Sequence, residues 1–433
     1  MYAQRSGRTC GNCHESPTWE DQEGWDNPEL AKRKCTLSCV ACHVDPTGGG
    51  LRNSSGRYYG QSTLGVFSTQ ARSYSDLSRE LVDDETLWKV KNWLGDEKVG
   101  AGEGRTIPSD YDDVLEGMGQ GQTGRFTSAG KPLGGPDVMA FWDGRYGDLN
   151  ADPAFQWGLD LRGAYFSGTE SAFPMQVDLH GAVHPVEHLT VAGTLAGSGS
   201  QALGPRVFPR RAFVMAHELP GMSWAKAGVF QPAFGTHIDD HTSFVRKWFE
   251  MDVSDPNDTV AGLELGTAPN YPYLTASVFK TDLYDPESEG WGSSVNLGWR
   301  DLGWSLTGHG MMKRRAGGRG DLTAAGLGWG LNPAYYFEKV PLTYMGEVSV
   351  GTGPDGVRTA MYNEAFFIVR NGLNLRTKLD TGWQGGGISN RVSAGFDVTP
   401  LPSVTFTALG RALRQTGDPQ WQPDLFLQTH IWF

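Results

Sequence analysis

Cysteine and histidine occur together twice near the start of the chain, in "TCGNCH" (residues 9–14) and "SCVACH" (residues 38–43). Cys-x-x-Cys-His is the pattern that covalent haem attachment needs. Two thiols are spaced to add to the two vinyl groups of one porphyrin, and the adjacent histidine is placed to ligate the iron. Cys10, Cys13 and His14 make one such unit, and Cys39, Cys42 and His43 make the other. A single zinc site built from two Cys-x-x-Cys halves has nearly the same footprint. Histidine separates the two chemistries. The chain has 10 histidines in 433 residues, so finding one directly after both pairs by chance has a probability of roughly one in two thousand, and a four-cysteine zinc site has no use for it. The expectation is two haem c groups.

Four of the 5 cysteines are consumed in this way. The remaining one, Cys35 in "KCTLSC", has no partner thiol and reads as a small buried thiol or, less simply, as a contact to a haem. Haem attachment of this kind takes place outside the cytoplasm. "MYAQRSG" has neither a basic n-region nor an apolar h-region, so the sequence reads as a mature, exported chain.

Elements are needed to position these groups. The stretch "GGGLRNSSGRYYG" follows the second unit, and its glycines allow close approach to a flat cofactor. Arg52 and Arg57 within it are placed to pair with haem propionates. "SDLSRELVDDETLWKVKNWLG" (75–95) carries Leu77, Leu81, Leu87, Val90 and Leu94 at helical spacing, with Ser75 or Asp76 to cap it and Gly95 to end it. Glycine-rich connectors follow. The expected organisation is a dihaem segment at 1–60, a helix and connector at 61–150 and a second domain at 151–433.

No apolar run approaches the ~18–20 residues of a membrane helix, which excludes a helical membrane protein. Yet Gly 59, Trp 15 and Tyr 14 are high while mean hydropathy is -0.39 and net charge is -12. That combination suits a transmembrane β-barrel with a polar lumen and aromatic girdles. From about residue 155 the chain alternates with period two. In "LNLRTKLD", Leu373, Leu375 and Leu379 oppose Asn374, Arg376, Lys378 and Asp380; in "NRVSAGFDV", Val392, Phe396 and Val398 oppose Arg391, Ser393 and Asp397. Tight turns alternate with longer polar loops at 283–290, 313–320, 383–389 and 414–423, as in barrels with short periplasmic turns and long external loops. About sixteen antiparallel strands result, from 155–166 to 424–433, with both ends in the periplasm. An even count leaves 231–257 as one long loop on the external side. Its aromatics Phe234, Phe244, Trp248 and Phe249 mark it as a segment folded into the lumen.

The haem units, the alternating strands and the aromatic last residue of "LFLQTHIWF" together resemble the single-chain cytochrome–porin fusions of the Gram-negative outer membrane. The resemblance implies electron transfer across that membrane, between periplasmic c-type cytochromes and an extracellular donor or acceptor such as iron, a metal oxide or an extracellular cytochrome. This chain has two haem motifs where the iron-oxidising fusions typically have one. Apart from the resemblance, electrons cannot cross about 25 Å of apolar wall without an intermediate redox centre, and a barrel of this size can enclose a small haem segment. Lumen-facing Arg376, Lys378, Asp380 and Arg391 would offer it polar docking. Low-spin haems need a second axial ligand, His or Met. Within residues 2–150 only Met118 and Met139 remain; otherwise the barrel supplies the ligand, with His237 and His241 on the inward loop placed best. An electron-transfer protein is favoured over a dedicated catalyst. A haem-dependent reductase or oxidase with an open iron position, or a porin with a cytochrome plug, is the alternative. No basic stripe for nucleic acid is present.

Overall fold

In the computed structural model the described residues are Cys39, 42–53, Gly56 and 155–432, apart from 187, 200–205, 270, 302, 318, 334–339, 341, 371, 402 and 419. Cys10, Cys13, His14, Cys35, Arg57, Met118, Met139 and the helix expected at 75–95 lie outside them.

The strands are β1 (Phe155–Phe166), β2 (Ser171–Val186), β3 (Leu189–Ser198), β4 (Arg206–Leu219), β5 (Ser223–Phe230), β6 (Val260–Thr267), β7 (Pro272–Thr281) and β8 (Gly290–Arg300). They continue as β9 (Trp304–Arg315), β10 (Leu322–Leu331), β11 (Leu342–Gly353), β12 (Gly356–Arg370), β13 (Leu373–Gln384), β14 (Gly387–Leu401), β15 (Val404–Arg414) and β16 (Gln422–Trp432). Each pairs antiparallel with its sequence neighbours, and β1 pairs with β16, so the sheet closes into a barrel with no free edge. Closure satisfies every strand's backbone polar groups internally, which a membrane interior demands.

Alternation decides which side chain faces where. Along β13, Leu375, Leu379 and Trp383 are exposed on the outer face, while Arg376, Lys378 and Asp380 are buried in the lumen. Outward leucines and valines such as Leu179, Leu265, Leu297, Leu327 and Val350 form an apolar belt. Near the end where β1 starts and β16 stops, Phe155, Trp157, Trp299, Trp304 and Phe367 ring it; near the other end, Tyr284, Trp291, Trp383 and Trp421 do. An apolar belt between two aromatic girdles is the surface of an outer-membrane barrel.

The expected loop asymmetry is weaker than the sequence suggested. The connection expected as a long loop at 383–389 is a tight hairpin, because β13 and β14 continue to Gln384 and Gly387 and Gly385 and Gly386 turn at positive φ. The 353–356 connection on the same rim is equally tight. The segment between β5 and β6 is the exception. It carries a short helix, α1 (Phe244–Trp248), and folds into the barrel. Phe230, Phe234, Ile238, Val245, Phe249 and Met251 meet inward-facing Phe279, Met311, Leu322, Met345 and Tyr362 there. Each fully buried aromatic or aliphatic side chain contributes about 1.5–3 kcal/mol to holding the loop.

Candidate functional site in the lumen

The second Cys-x-x-Cys-His unit belongs to a small hairpin inside the barrel. The backbone N–H groups of Cys42 and His43 donate to the Cys39 carbonyl at 3.1 and 2.9 Å, closing the turn that joins the two thiols. His43 then bridges antiparallel to Arg52, with Val44 N donating to Leu51 O at 3.0 Å and Asn53 N to Cys42 O at 3.1 Å. The reversal is made by "DPTGGG": Asp45 Oδ1 accepts from Thr47 N and Oγ1 at 3.1 and 2.8 Å, and Gly48, Gly49 and Gly50 follow at positive φ. The glycines thus serve the turn and the docking together. A Cβ on Gly50 would stand 2.2 Å from Arg211 Nη1.

Charge anchors the hairpin. Asp45, 3% exposed, accepts from Lys226 Nζ at 3.2 Å and faces Arg211 at 3.8 Å, while Lys226 also bonds Glu264 at 2.8 Å. Arg211 donates to Gly48 O at 3.3 Å, and Arg300 to Cys39 Sγ at 3.3 Å. Arg52 lies 5.3 Å over the Trp432 ring, and Val44 and Leu51 pack on Ala182 and Ala192. Burial and then the Lys226 and Arg211 cations act in opposite directions on Asp45, and the cations win, holding it well below the usual carboxylate range.

The inward loop approaches from the other rim. Thr236 N and Oγ1 donate to Glu347 at 2.7 and 2.6 Å, Arg162 pairs with Asp239 at 2.7 Å, Lys378 pairs with Asp240, and Arg391 donates to Thr242 O at 2.8 Å. Arg376 pairs with Glu364 and Asp397, and Asp380 with Arg391. For the described part of the haem segment, the expectation that Arg376, Lys378, Asp380 and Arg391 dock it is therefore corrected. Lys378, Asp380 and Arg391 hold the loop and Arg376 braces the wall. The hairpin is held by Arg211, Lys226 and Arg300, on the opposite side of the lumen.

His237 and His241 are both half-buried on this loop. His237 takes a positive φ of 50°. Burial, then Arg246, lowers its pKa to about 3, and Arg211, Asp45 and Arg300, which hold the hairpin, also act on it. His241 is lowered by burial and by Arg162 and Arg246, and its Nδ1 is buried with no hydrogen-bond partner among the described residues. On the hairpin, burial followed by Arg52 and Arg211 lowers His43 to about 3. Its imidazole is neutral, with a bond to the Gly49 backbone and an Nδ1 that has no partner among the described residues.

Comparison with known proteins bears on the frame that holds this site. No protein-family model matches the chain, and no curated protein matches its sequence. Among solved structures, OprB of Pseudomonas putida at high pH superposes with a TM-score of 0.52 at 8% identity, covering 65% of this chain and 94% of that one. A loop-L8 deletion mutant of OmpT of Vibrio cholerae gives 0.51 at 7%, covering 64% and 99%, and Salmonella typhi OmpF in complex with daunomycin gives 0.50 at 9%, covering 64% and 97%. The fold is that of an outer-membrane porin.

Within the porin barrel the donor set fits a covalently attached haem. Cys39 and Cys42 are half-buried thiols that form no disulfide among the described residues. Beside them stand a neutral histidine with an open nitrogen and the cations Arg52, Arg211 and Arg300, suited to propionates. Four wall residues near the hairpin were not foreseen from sequence: Arg211, Lys226, Arg300 and His180. His180 Nδ1 bonds Thr194 Oγ1 at 2.9 Å, and its Nε2 is buried with no hydrogen-bond partner among the described residues. Period two in "QVDLHGAVH" puts Gln176, Asp178 and His180 on the lumen face, a signal that was there to be read.

Proposed function

We propose that this porin-type protein is an outer-membrane electron conduit, in which two covalently bound haems carry single electrons between a periplasmic c-type cytochrome and an extracellular donor or acceptor. The observation that supports it most is the lumenal position of the Cys39–Cys42–His43 hairpin, pinned by Asp45 to Lys226 and Arg211. A haem there supplies one-electron chemistry. The chain's own residues orient it, neutralise its propionates and exclude water through the packed inward loop. Each turnover oxidises one partner by one electron and reduces the other by one, and the partners' potentials set the direction. The first unit, Cys10, Cys13 and His14, supplies the second haem on this reading.

A porin with a cytochrome plug is the second reading, favoured by the apolar cluster that the 231–259 loop builds inside the lumen. One experiment separates the two. The protein is placed in liposomes enclosing a reduced, membrane-impermeant dye, with a protein-sized oxidant outside. Fast dye oxidation, lost when His14 or His43 is replaced, is the expected result. No oxidation by inserted, haem-loaded barrels overturns the conduit and leaves the plug.

A further inference from the structure

We propose that His180, on the wall strand β2, is the second axial ligand of the haem carried by Cys39, Cys42 and His43. The inference rests on the haem reading above and goes beyond it, since it makes the barrel wall part of the redox centre.

Three observations lead there. First, His180 is 3% exposed and its Nε2 has no hydrogen-bond partner among the described residues, so a buried imidazole lone pair is left open in a polar lumen. Second, its other nitrogen is engaged: Nδ1 bonds Thr194 Oγ1 at 2.9 Å. With Nδ1–H donating, the tautomer leaves Nε2 as the free donor atom, which is how metal-ligating histidines are usually oriented. Third, the ring adjoins the hairpin. A Cβ on Gly50 would lie 3.8 Å from His180 Cε1, and the neighbouring inward residue on β2, Ala182, packs on Val44 and Leu51.

The other lumenal histidines are less well prepared. His184, further along the same face of β2, shares the pattern, with Nδ1 at 2.9 Å from Thr190 Oγ1 and Nε2 without a hydrogen-bond partner among the described residues. It is only half-buried, whereas His180 is 3% exposed and lies against Gly50 of the hairpin. His430 Nε2 bonds Asp160 at 3.0 Å, and His309 Nε2 bonds Ser349 at 3.0 Å on the far wall. His237 and His241 sit on a loop, where ligand position depends on the loop's own packing, whereas a strand of a closed barrel holds its side chains rigidly. In the ligation step the Nε2 lone pair forms a bond to iron, the Nδ1 proton stays on its hydrogen bond to Thr194, and no electron is transferred.

The test uses the full-length haem-loaded protein. Mass spectrometry counts the haems, heat-modifiability on a gel checks the barrel, and electron paramagnetic resonance with near-infrared magnetic circular dichroism reads spin state and ligand type. In wild type a bis-histidine, low-spin haem is expected. His180→Gly should keep two haems and convert one of them to high spin, and added imidazole should restore it; His237→Gly should leave that haem low-spin. If His180→Gly does not assemble, His180→Met decides in its place. It should give one haem a His/Met spectrum and a higher potential, as methionine ligation does. Unchanged spectra in the His180 variants, or a high-spin haem produced by His237→Gly, overturn the assignment. With wild-type dye oxidation intact, that result leaves the conduit standing. A wild-type protein with no haem on Cys39 and Cys42 overturns both.

Discussion

Asp45 illustrates how much of the site rests on single buried charges. Lys226 stands between Asp45 and Glu264, with side-chain exposures of 0%, 4% and 0%. Lys226→Ala leaves two buried carboxylates facing each other and should cost about 3–5 kcal/mol. Asp45→Asn leaves Lys226 its Glu264 partner and should cost less, about 1–3 kcal/mol. Hydrogen exchange of residues 42–53 measures both, with the larger loss of protection in Lys226→Ala. Because the folded Asp45 sits below its ordinary pKa of 3.8, its contribution is complete above that value and is lost only as pH falls further. Asp45→Asn should therefore lose the same amount of hairpin protection at pH 7 and at pH 5. At this scale the sequence was informative about chemistry and silent about partners. Cys39, Cys42 and His43 announce themselves by spacing. Nothing in the chain says that Asp45 meets a lysine on β5, because that pairing is set by which walls of a closed cylinder face the hairpin.

The loop between β5 and β6 is the element on which lumen access depends. It is bound at its helix end by Arg358 donating to Trp248 O at 2.8 Å and by Arg391 stacking 5.0 Å from Phe244. Gly382 makes room for it, since a Cβ there would lie 2.1 Å from the Trp248 ring. Gly382→Val should therefore displace the helix and, with Lys378→Ala, raise single-channel conductance several-fold over wild type in planar bilayers. The loop's base also titrates. Burial, aided by Asp255 and Glu250 against the pull of Lys313 and Arg319, pushes Asp258 up to about 7. A carboxyl that keeps its proton to pH 7 when folded, but releases it near 3.8 when unfolded, makes the native state less stable as pH rises through that window. Glu250 works the other way: despite burial, Lys313 and Arg315 lower it to about 2, so its contribution is lost as pH falls below 4.5. The unfolding midpoint of Asp258→Asn should therefore gain on that of wild type as pH rises from 5 to 7, while the buried neutral histidines contribute equally to both. The parity of the strand count exposed this loop in the sequence, and its aromatics told which way it folds. The short connections at 353–356 and 384–387 were hidden, because polar and glycine residues that continue a ladder look the same as those that leave it.

As a whole, the molecule is a cylinder with an inverted distribution of polarity, and all sixteen strands were legible because each alternates against that single inside–outside rule. The rule predicts the penalty for breaking it. Leu327, 53% exposed near the middle of β10, faces the apolar belt, so Leu327→Arg should cost about 2–4 kcal/mol in reversible unfolding into lipid vesicles. The contents of the lumen were less legible than its wall: both insertions follow from three-dimensional proximity between segments far apart in the chain. The seam between β1 and β16 has a further consequence, for biogenesis. Cys39 and Cys42 lie half-buried within the ring that this seam shuts, where an enzyme that joins porphyrin vinyls to thiols would have to work at the barrel mouth rather than on an open chain. On the conduit reading, haem ligation before insertion is the expected order; withholding haem during synthesis, supplying it later and measuring the haem content of the assembled barrel checks it. A chain held open in the periplasm until its cytochrome segment is mature would then load haem fully, and a barrel sealed without haem should stay largely unloaded when cofactor is supplied later.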